Sequence, residues 1–215
     1  MKEFDALVDI LKTLRGPGGC KWDRAQKVDD SKSHLLEEVY ELIDAIDSKD
    51  TGKVKEEIGD VIMLLVFITR LYSEKKKFSI KDALKSINEK LITRHPHVFS
   101  GKKLKNKEAI IEYWVKEKAK KKKRKTIKER LPYSAPALLL AYLYFKEKGY
   151  LNQRGDEKKL RQKISAHLRR LSGPLKKKAI VDALFTLVET AAFLKVDLEC
   201  ELRKKVFKNA VRERY

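Results

Sequence analysis

Cysteine is nearly absent: the 215 residues hold two, Cys20 and Cys200. Two thiols so far apart build neither a disulfide framework nor a zinc cluster, and both are expected to be reduced. Proline and glycine are few, at 5 and 9, which excludes collagen-like and linker-rich chains. No stretch alternates polar and apolar residues for long enough to suggest a strand. Long apolar runs are missing as well. Val61–Ile68 falls far short of the ~18 residues that a membrane span requires, and the acidic start MKEFDALVDI lacks the form of a signal peptide. A cytoplasmic protein with no membrane segment is the expectation. Asn and Gln number only 4 and 3, and with Lys and Glu abundant the bias leans towards heat adaptation.

What remains is a helix-forming chain. Hydrophobic residues make up 42% and charged residues 38%, enough apolar material for a core and enough charge to dress long helices. Apolar spacing of helical type predicts helices over 3–14, 31–48, 53–74, 80–94, 107–124, 137–148, 157–171, 175–194 and 198–213. The fold class is therefore all-α. Ser79 with Asp82 reads as a capping box, and Asn106 and Asp197 as N-caps. The turn-rich segment Arg15–Lys27 is expected to be an ordered or functional loop.

Charge divides the chain. The formal net charge is +20, yet residues 1–114 hold 22 Lys+Arg against 20 Asp+Glu, whereas residues 115–215 hold 29 against 11. The run Lys116–Arg130 has 10 basic residues in 15 and leads into Leu131-Pro132. A boundary there separates residues 1–125 from residues 126–215. The basic second part suits a nucleic acid or another phosphate-rich partner; the ordinary alternative is a solvated lysine surface.

The informative stretch is His34–Ile68. In its first helix Leu35, Val39, Leu42, Ile43 and Ile46 form one stripe, with Glu38 at its border and Glu41 one turn further along, while Glu37 points more nearly away. In the second helix Glu57, Asp60, Val61, Leu64 and Ile68 share a face. From Val61 to Ile68 that helix is apolar all round and is expected to be buried, with Asp60 at the mouth of a core. An unpaired buried carboxylate is so costly that it takes up a proton or is excluded. Four together call for a cation. Side chains three apart on a helix are neighbours, so Glu38 with Glu41 and Glu57 with Asp60 make two pincers. Oxygen ligands without His or Cys select Mg²⁺, or Mn²⁺, and Mg²⁺ pairs naturally with a phosphate substrate. Gly59, which costs ~1 kcal/mol against Ala inside a helix, is expected where a backbone or metal site approaches closely. The competing reading is a solvated face whose acids pair with Lys49, Lys53 and Lys55.

These residues resemble a known family. Glu37-Glu38-Val39-Tyr40-Glu41 followed by Glu57-Ile58-Gly59-Asp60 resembles the EExxE and ExxD motif of the all-α nucleoside triphosphate pyrophosphohydrolases, and the finer resemblance is to MazG. Gly19-Cys20-Lys21-Trp22-Asp23 resembles that family's Gly-Cys-Pro-Trp-Asp loop, and Arg94-His95-Pro96-His97-Val98-Phe99 its Arg-His-Pro-His-Val-Phe segment. The resemblance implies a four-helix catalytic unit that works as a homodimer or higher homo-oligomer. It would hydrolyse NTPs or dNTPs to monophosphate and pyrophosphate. By motif position Glu38, Glu41, Glu57 and Asp60 would be the Mg²⁺ ligands and Glu37 an outer group or water orienter. Lys90 and Arg94 would hold the triphosphate, Trp22 would stack on the base and Asp23 accept from it. Trp114 and Lys118 match positions near the nucleotide, although core packing serves equally for Trp114 and a solvated lysine run for Lys118. The departures are Lys21 for the family's Pro, Ala25 for an acid, and Val28 and Ser31 where a His and a Leu are usual.

Residues 131–215 resemble a shortened second copy that has lost its acids. Ser165-Ala166-His167, then Arg169-Arg170, stands where the first motif belongs, and Ala179-Ile180-Val181-Asp182 where the second does. Only Asp182 survives, so this half is expected to be degenerate, with His167 a helix-face residue and not a ligand. A rival function is a nucleic-acid-binding or regulatory protein built on an inactive scaffold of the same kind.

Overall fold

The computed structural model describes residues 2–122, 126–149, 157–171 and 177–212, and among them there are helices and no strand. The chain divides into two compact units, Met1–Glu117 and Lys118–Tyr215.

The first unit is built on α1 (Lys2–Arg15), α3 (Ser31–Ser48), α4 (Thr51–Glu74), α5 (Ile80–Arg94) and the start of α7 (Lys107–Lys122), with α2 (Lys21–Ala25) and α6 (Pro96–Phe99) as single turns between them. A left-handed Lys49 (φ 60°) stops α3, and the Asp50 side chain starts α4 by accepting from the backbone N–H groups of Gly52 and Lys53. So short a connection forces α3 and α4 into an antiparallel hairpin, and α1 and α5 pack against the same α4. The core lies where α1 meets the second half of α4: Leu11, Val66, Phe67 and Leu71, flanked by Phe4, Leu7, Met63 and Ile80.

One side of α4 stays uncovered. Ile58, Ile62 and Leu65, each about one turn from the next, are 44%, 39% and 47% exposed. The expectation that Val61–Ile68 is buried all round is therefore corrected. Neighbouring helices of its own unit cover one side of α4, and among the described residues the stripe on the other is left partly open to solvent.

The second unit comprises α8 (Ile127–Arg130), α9 (Ala137–Glu147), α10 (Glu157–Leu171), α11 (Lys177–Leu194) and α12 (Leu198–Arg212). Helix α11 packs on both α10 and α9, and α12 on α9. Phe145, Val188 and Ala192 form its core, and the Phe145 and Phe185 rings lie 4.8 Å apart. The basic stretch 123–125 and the side chains of Lys118 and Arg170 lie outside the described residues.

Candidate active site

The α3–α4 hairpin brings the acids together. Glu38, Glu41 and Glu57 each offer a carboxylate oxygen, and these atoms lie within 4.8 Å of one another. Asp60 stands outside that tight group but close to it: after desolvation, its charge is the strongest influence pushing Glu38 above the usual carboxylate range, ahead of Glu41, Glu57 and Glu37. Desolvation, then Glu41, Glu56 and Asp60, push Glu57 upward in the same way, against a lesser pull from Lys53. Among the described residues none of these four acids is held in an ion pair or hydrogen bond. Of the three lysines that could pair with them, Lys49 and Lys55 form no ion pair with these acids, and Lys53 exerts only the lesser pull on Glu57.

Burial is less than expected. Glu38, Glu57 and Asp60 are half-buried and Glu41 is exposed, so the acids line an open surface and not the mouth of a core. Two helices can shield a side chain only from below. At Gly59 a Cβ would meet nothing within 4 Å, so no backbone of a neighbouring element comes close there, which corrects the backbone half of the expectation. The donor set itself is all oxygen, convergent and uncompensated, which fits a hard divalent cation of the Mg²⁺ or Mn²⁺ kind. Glu37 is exposed on the outer side of α3, 4.0 Å from His34 Nδ1.

The loop after α1 reaches the same helix. Trp22, 60% exposed, meets the His34 ring edge-on at 6.3 Å, and His34 lies one turn before Glu37 and Glu38 on α3. Asp23 is half-buried, with its backbone oxygen taken by the Arg15 guanidinium. At the far end of α5, the Trp114 indole N–H donates to the Arg94 carbonyl at 2.8 Å and its ring packs edge-on against His95 at 5.0 Å. Lys90 is exposed and Arg94 half-buried, and neither is among the strongest charges acting on Glu38 or Glu57. Trp114 and Arg94 are thus brought together, and Trp22 is brought towards the acidic helix.

Sequence reasoning missed two contributors, Arg15 and His34. Arg15 carries a signal in retrospect, since it directly precedes Gly16-Pro17-Gly18-Gly19. In the second unit His167 is half-buried with an unpartnered Nδ1, and among the described residues it joins no group of candidate ligands.

A helical unit that presents unpaired carboxylates from two antiparallel helices has the form of an all-α nucleotide pyrophosphohydrolase. The sequence model of the MazG nucleotide pyrophosphohydrolase domain matches residues 26–99, a span holding all five acids with Lys90 and Arg94 but not Trp22, Asp23, Trp114 or Lys118. The chain is 37% identical over 206 residues to the nucleoside triphosphate pyrophosphohydrolase/pyrophosphatase MazG of Thermotoga maritima, covering 94% of this chain and 80% of that protein. It is 34% identical over 146 residues to the nucleoside triphosphate pyrophosphohydrolase of Escherichia coli, covering 66% of this chain and 55% of that protein. An uncharacterised Bacillus subtilis protein, YabN, is 36% identical over 138 residues, 28% of its length. The chain belongs to the MazG family of nucleotide pyrophosphohydrolases.

Proposed function

We propose that the first unit hydrolyses nucleoside triphosphates, ribo- or deoxyribo-, to the monophosphate and pyrophosphate, with Mg²⁺ as cofactor and Mn²⁺ as its substitute. The observation that carries this reading is the convergence of Glu38, Glu41 and Glu57 within 4.8 Å, with no ion pair to any of them among the described residues and only a lesser pull from Lys53 on Glu57. Clustered carboxylates repel one another, and a fold keeps them together at a cost that a bound cation removes. Asp60 would join them as a ligand by a small side-chain movement, and Glu37, on the outer side, would orient water.

A divalent ion held there supplies charge neutralisation for the triphosphate and acidifies water. The chain's own residues do the rest. Lys90 and Arg94, one turn apart on α5, hold the triphosphate, with Lys118 further along as a weaker candidate. The Trp114 hydrogen bond to Arg94 fixes the helix end that carries that arginine. Trp22 offers a ring face to the base and Asp23 a carboxylate to its donors. Water attacks the α-phosphorus, the bond to the α–β bridging oxygen breaks, and pyrophosphate leaves; positioning accounts for most of the rate.

Two further elements belong to the proposal. The uncovered stripe Ile58, Ile62 and Leu65 would be buried in a homodimer or higher homo-oligomer, because contiguous apolar surface of this kind marks an association face. The setting is the cytoplasm, where Cys20 and Cys200, both free, stay reduced. The excess of 29 basic over 11 acidic residues in 115–215 favours a second reading, salt-sensitive nucleic-acid binding by the degenerate half.

The test is a panel of ribo- and deoxyribonucleoside triphosphates incubated with Mg²⁺, with products separated by chromatography. Monophosphate and pyrophosphate in equal amounts support the reading. Diphosphate with inorganic phosphate, or no turnover alongside nucleic-acid binding that weakens steeply with salt, would replace it.

A further inference from the structure

The Arg15 side chain is 7% exposed and its guanidinium joins three parts of the first unit. Its Nε and Nη2 donate to the two oxygens of Glu74 at 2.9 and 2.8 Å. Its Nη1 donates to the backbone oxygens of Asp23 and, at 3.4 Å, Gln26. Its cationic face lies over the Phe67 ring, 5.2 Å from the centroid. Arg70 Nε donates to the same Glu74 at 3.1 Å, so the carboxylate is itself held in place. A bidentate, stacked guanidinium is a rigid connector that lysine cannot copy.

The loop is built to meet it. Gly16 and Gly19 continue the turn off α1 through backbone bonds to Thr13 and Gly16, both 3.0 Å. At Gly19 a Cβ would come within 2.4 Å of two backbone oxygens of α1, so no other residue lets the chain double back this closely. The two carbonyls that Arg15 takes sit at either end of the segment Asp23–Gln26, directly after Trp22, whose ring then meets His34 on the acidic helix.

We propose that Arg15 is a positioning residue for the nucleotide: by tying the Trp22–Asp23 loop to α4 through Glu74, it sets where the base is received without touching the acids. This rests on the reading of the first unit as a nucleotide hydrolase and of the loop as its base-binding part. Glu74 and Phe67 lie in the second half of α4, away from Glu57 at its start, so the tie orders the loop independently of the carboxylates.

The experiment compares the full chain with Arg15→Lys and Arg15→Gln. Folding is followed by circular dichroism and loop order by limited tryptic cleavage after Lys21, Arg24 and Lys27. Nucleotide kinetics are measured at saturating Mg²⁺. Helical content should stay unchanged while cleavage in the loop accelerates. KM should rise about tenfold or more with kcat changed less than about threefold, as expected when binding alone is lost. Arg15→Lys should recover less than half of the affinity that Arg15→Gln loses. Loop cleavage unchanged by either variant would overturn the proposal, and so would kcat falling in step with folded fraction while KM stays put. If the wild-type chain hydrolyses no nucleotide, the function fails on its own evidence. Cleavage still decides whether Arg15 orders the loop.

Discussion

Lys163 of α10 reaches α11 and holds both carboxylate oxygens of Glu189, at 2.9 and 3.1 Å. The two units therefore treat acids on packed helix pairs in opposite ways. In the second, a nearly buried acid is clamped by an ammonium group; in the first, Glu38, Glu41 and Glu57 converge with no such clamp among the described residues. A packed helix pair with a paired acid needs nothing further, whereas the unpaired group is stable only with a cation or at a cost. Removing one partner of a shielded pair strands the other charge. Because the Glu189 side chain is 9% exposed and Lys163 51%, Lys163→Ala should cost about 1–2 kcal/mol. Adding Glu189→Gln should recover most of it. Thermal unfolding of the three variants checks this, and nucleotide turnover by the first unit should not change.

Repulsion among the first unit's acids has a sign that can be read directly. Glu38→Gln and Glu57→Gln each remove one like charge, so the metal-free protein should melt higher than wild type. Added Mg²⁺ should raise the wild-type Tm, since a ligand of the folded state stabilises it, and should raise the variants' much less. Turnover should fall on the order of a hundredfold or more. Scanning calorimetry with and without chelator measures the first two effects together.

Acid should undo the Arg15–Glu74 tie. Hydrogen bonding from Arg15 is the strongest influence and holds the Glu74 carboxyl below the usual carboxylate range; desolvation, next in size, opposes it, and the charges of Arg15 and Arg70 add to the lowering. A depressed folded-state pKa means that the unfolded chain binds the proton first. The stability it contributes is therefore present above the unfolded value and lost as pH falls through the folded one. Glu74→Gln should be less stable than wild type near neutral pH, and the gap should close in acid. A constant difference across the pH series would contradict this.

The uncovered face of α4 predicts an association state. Ile62→Asp or Leu65→Asp places a charge in a stripe that the homo-oligomer would bury, so sedimentation should show a folded species of lower mass than wild type. A wild-type chain that sediments as a monomer at all concentrations would remove the dimer from the proposal.

Much of this architecture was legible because long amphipathic helices announce themselves by period and by cap. Helices α3, α5 and α10 span the residues that the apolar spacing indicates, and three caps follow from side-chain chemistry. Ser79 and Asp82 bond reciprocally, Asn106 accepts from the Ala109 N–H at 2.9 Å, and Asp197 from that of Cys200 at 3.2 Å. One-turn helices carry no period, so α2, α6 and α8 were not legible, and the Thr126–Glu129 capping box was hidden among lysines. The acids of α3 and α4 could be placed on facing helices from spacing alone. Which three converge could not, because that depends on how the hairpin's helices rotate against each other. Exposure was misjudged for the same reason at Ile62 and Leu65: apolar composition says that a surface wants cover, not whether its own chain supplies it. The glycine-rich turn after Arg15 marks the place, but its partner could not be read, because Glu74 lies 59 positions away on another helix.

The most direct measurement is a titration of the full chain with Mn²⁺, following the free ion by electron paramagnetic resonance and repeating it with Glu38→Gln/Glu41→Gln/Glu57→Gln. The wild type should quench the free-ion signal at a saturable site that excess Mg²⁺ competes for. The triple variant should leave the signal as it is in buffer while keeping its helical spectrum. Equal binding by both proteins, or none by the wild type, would contradict the account.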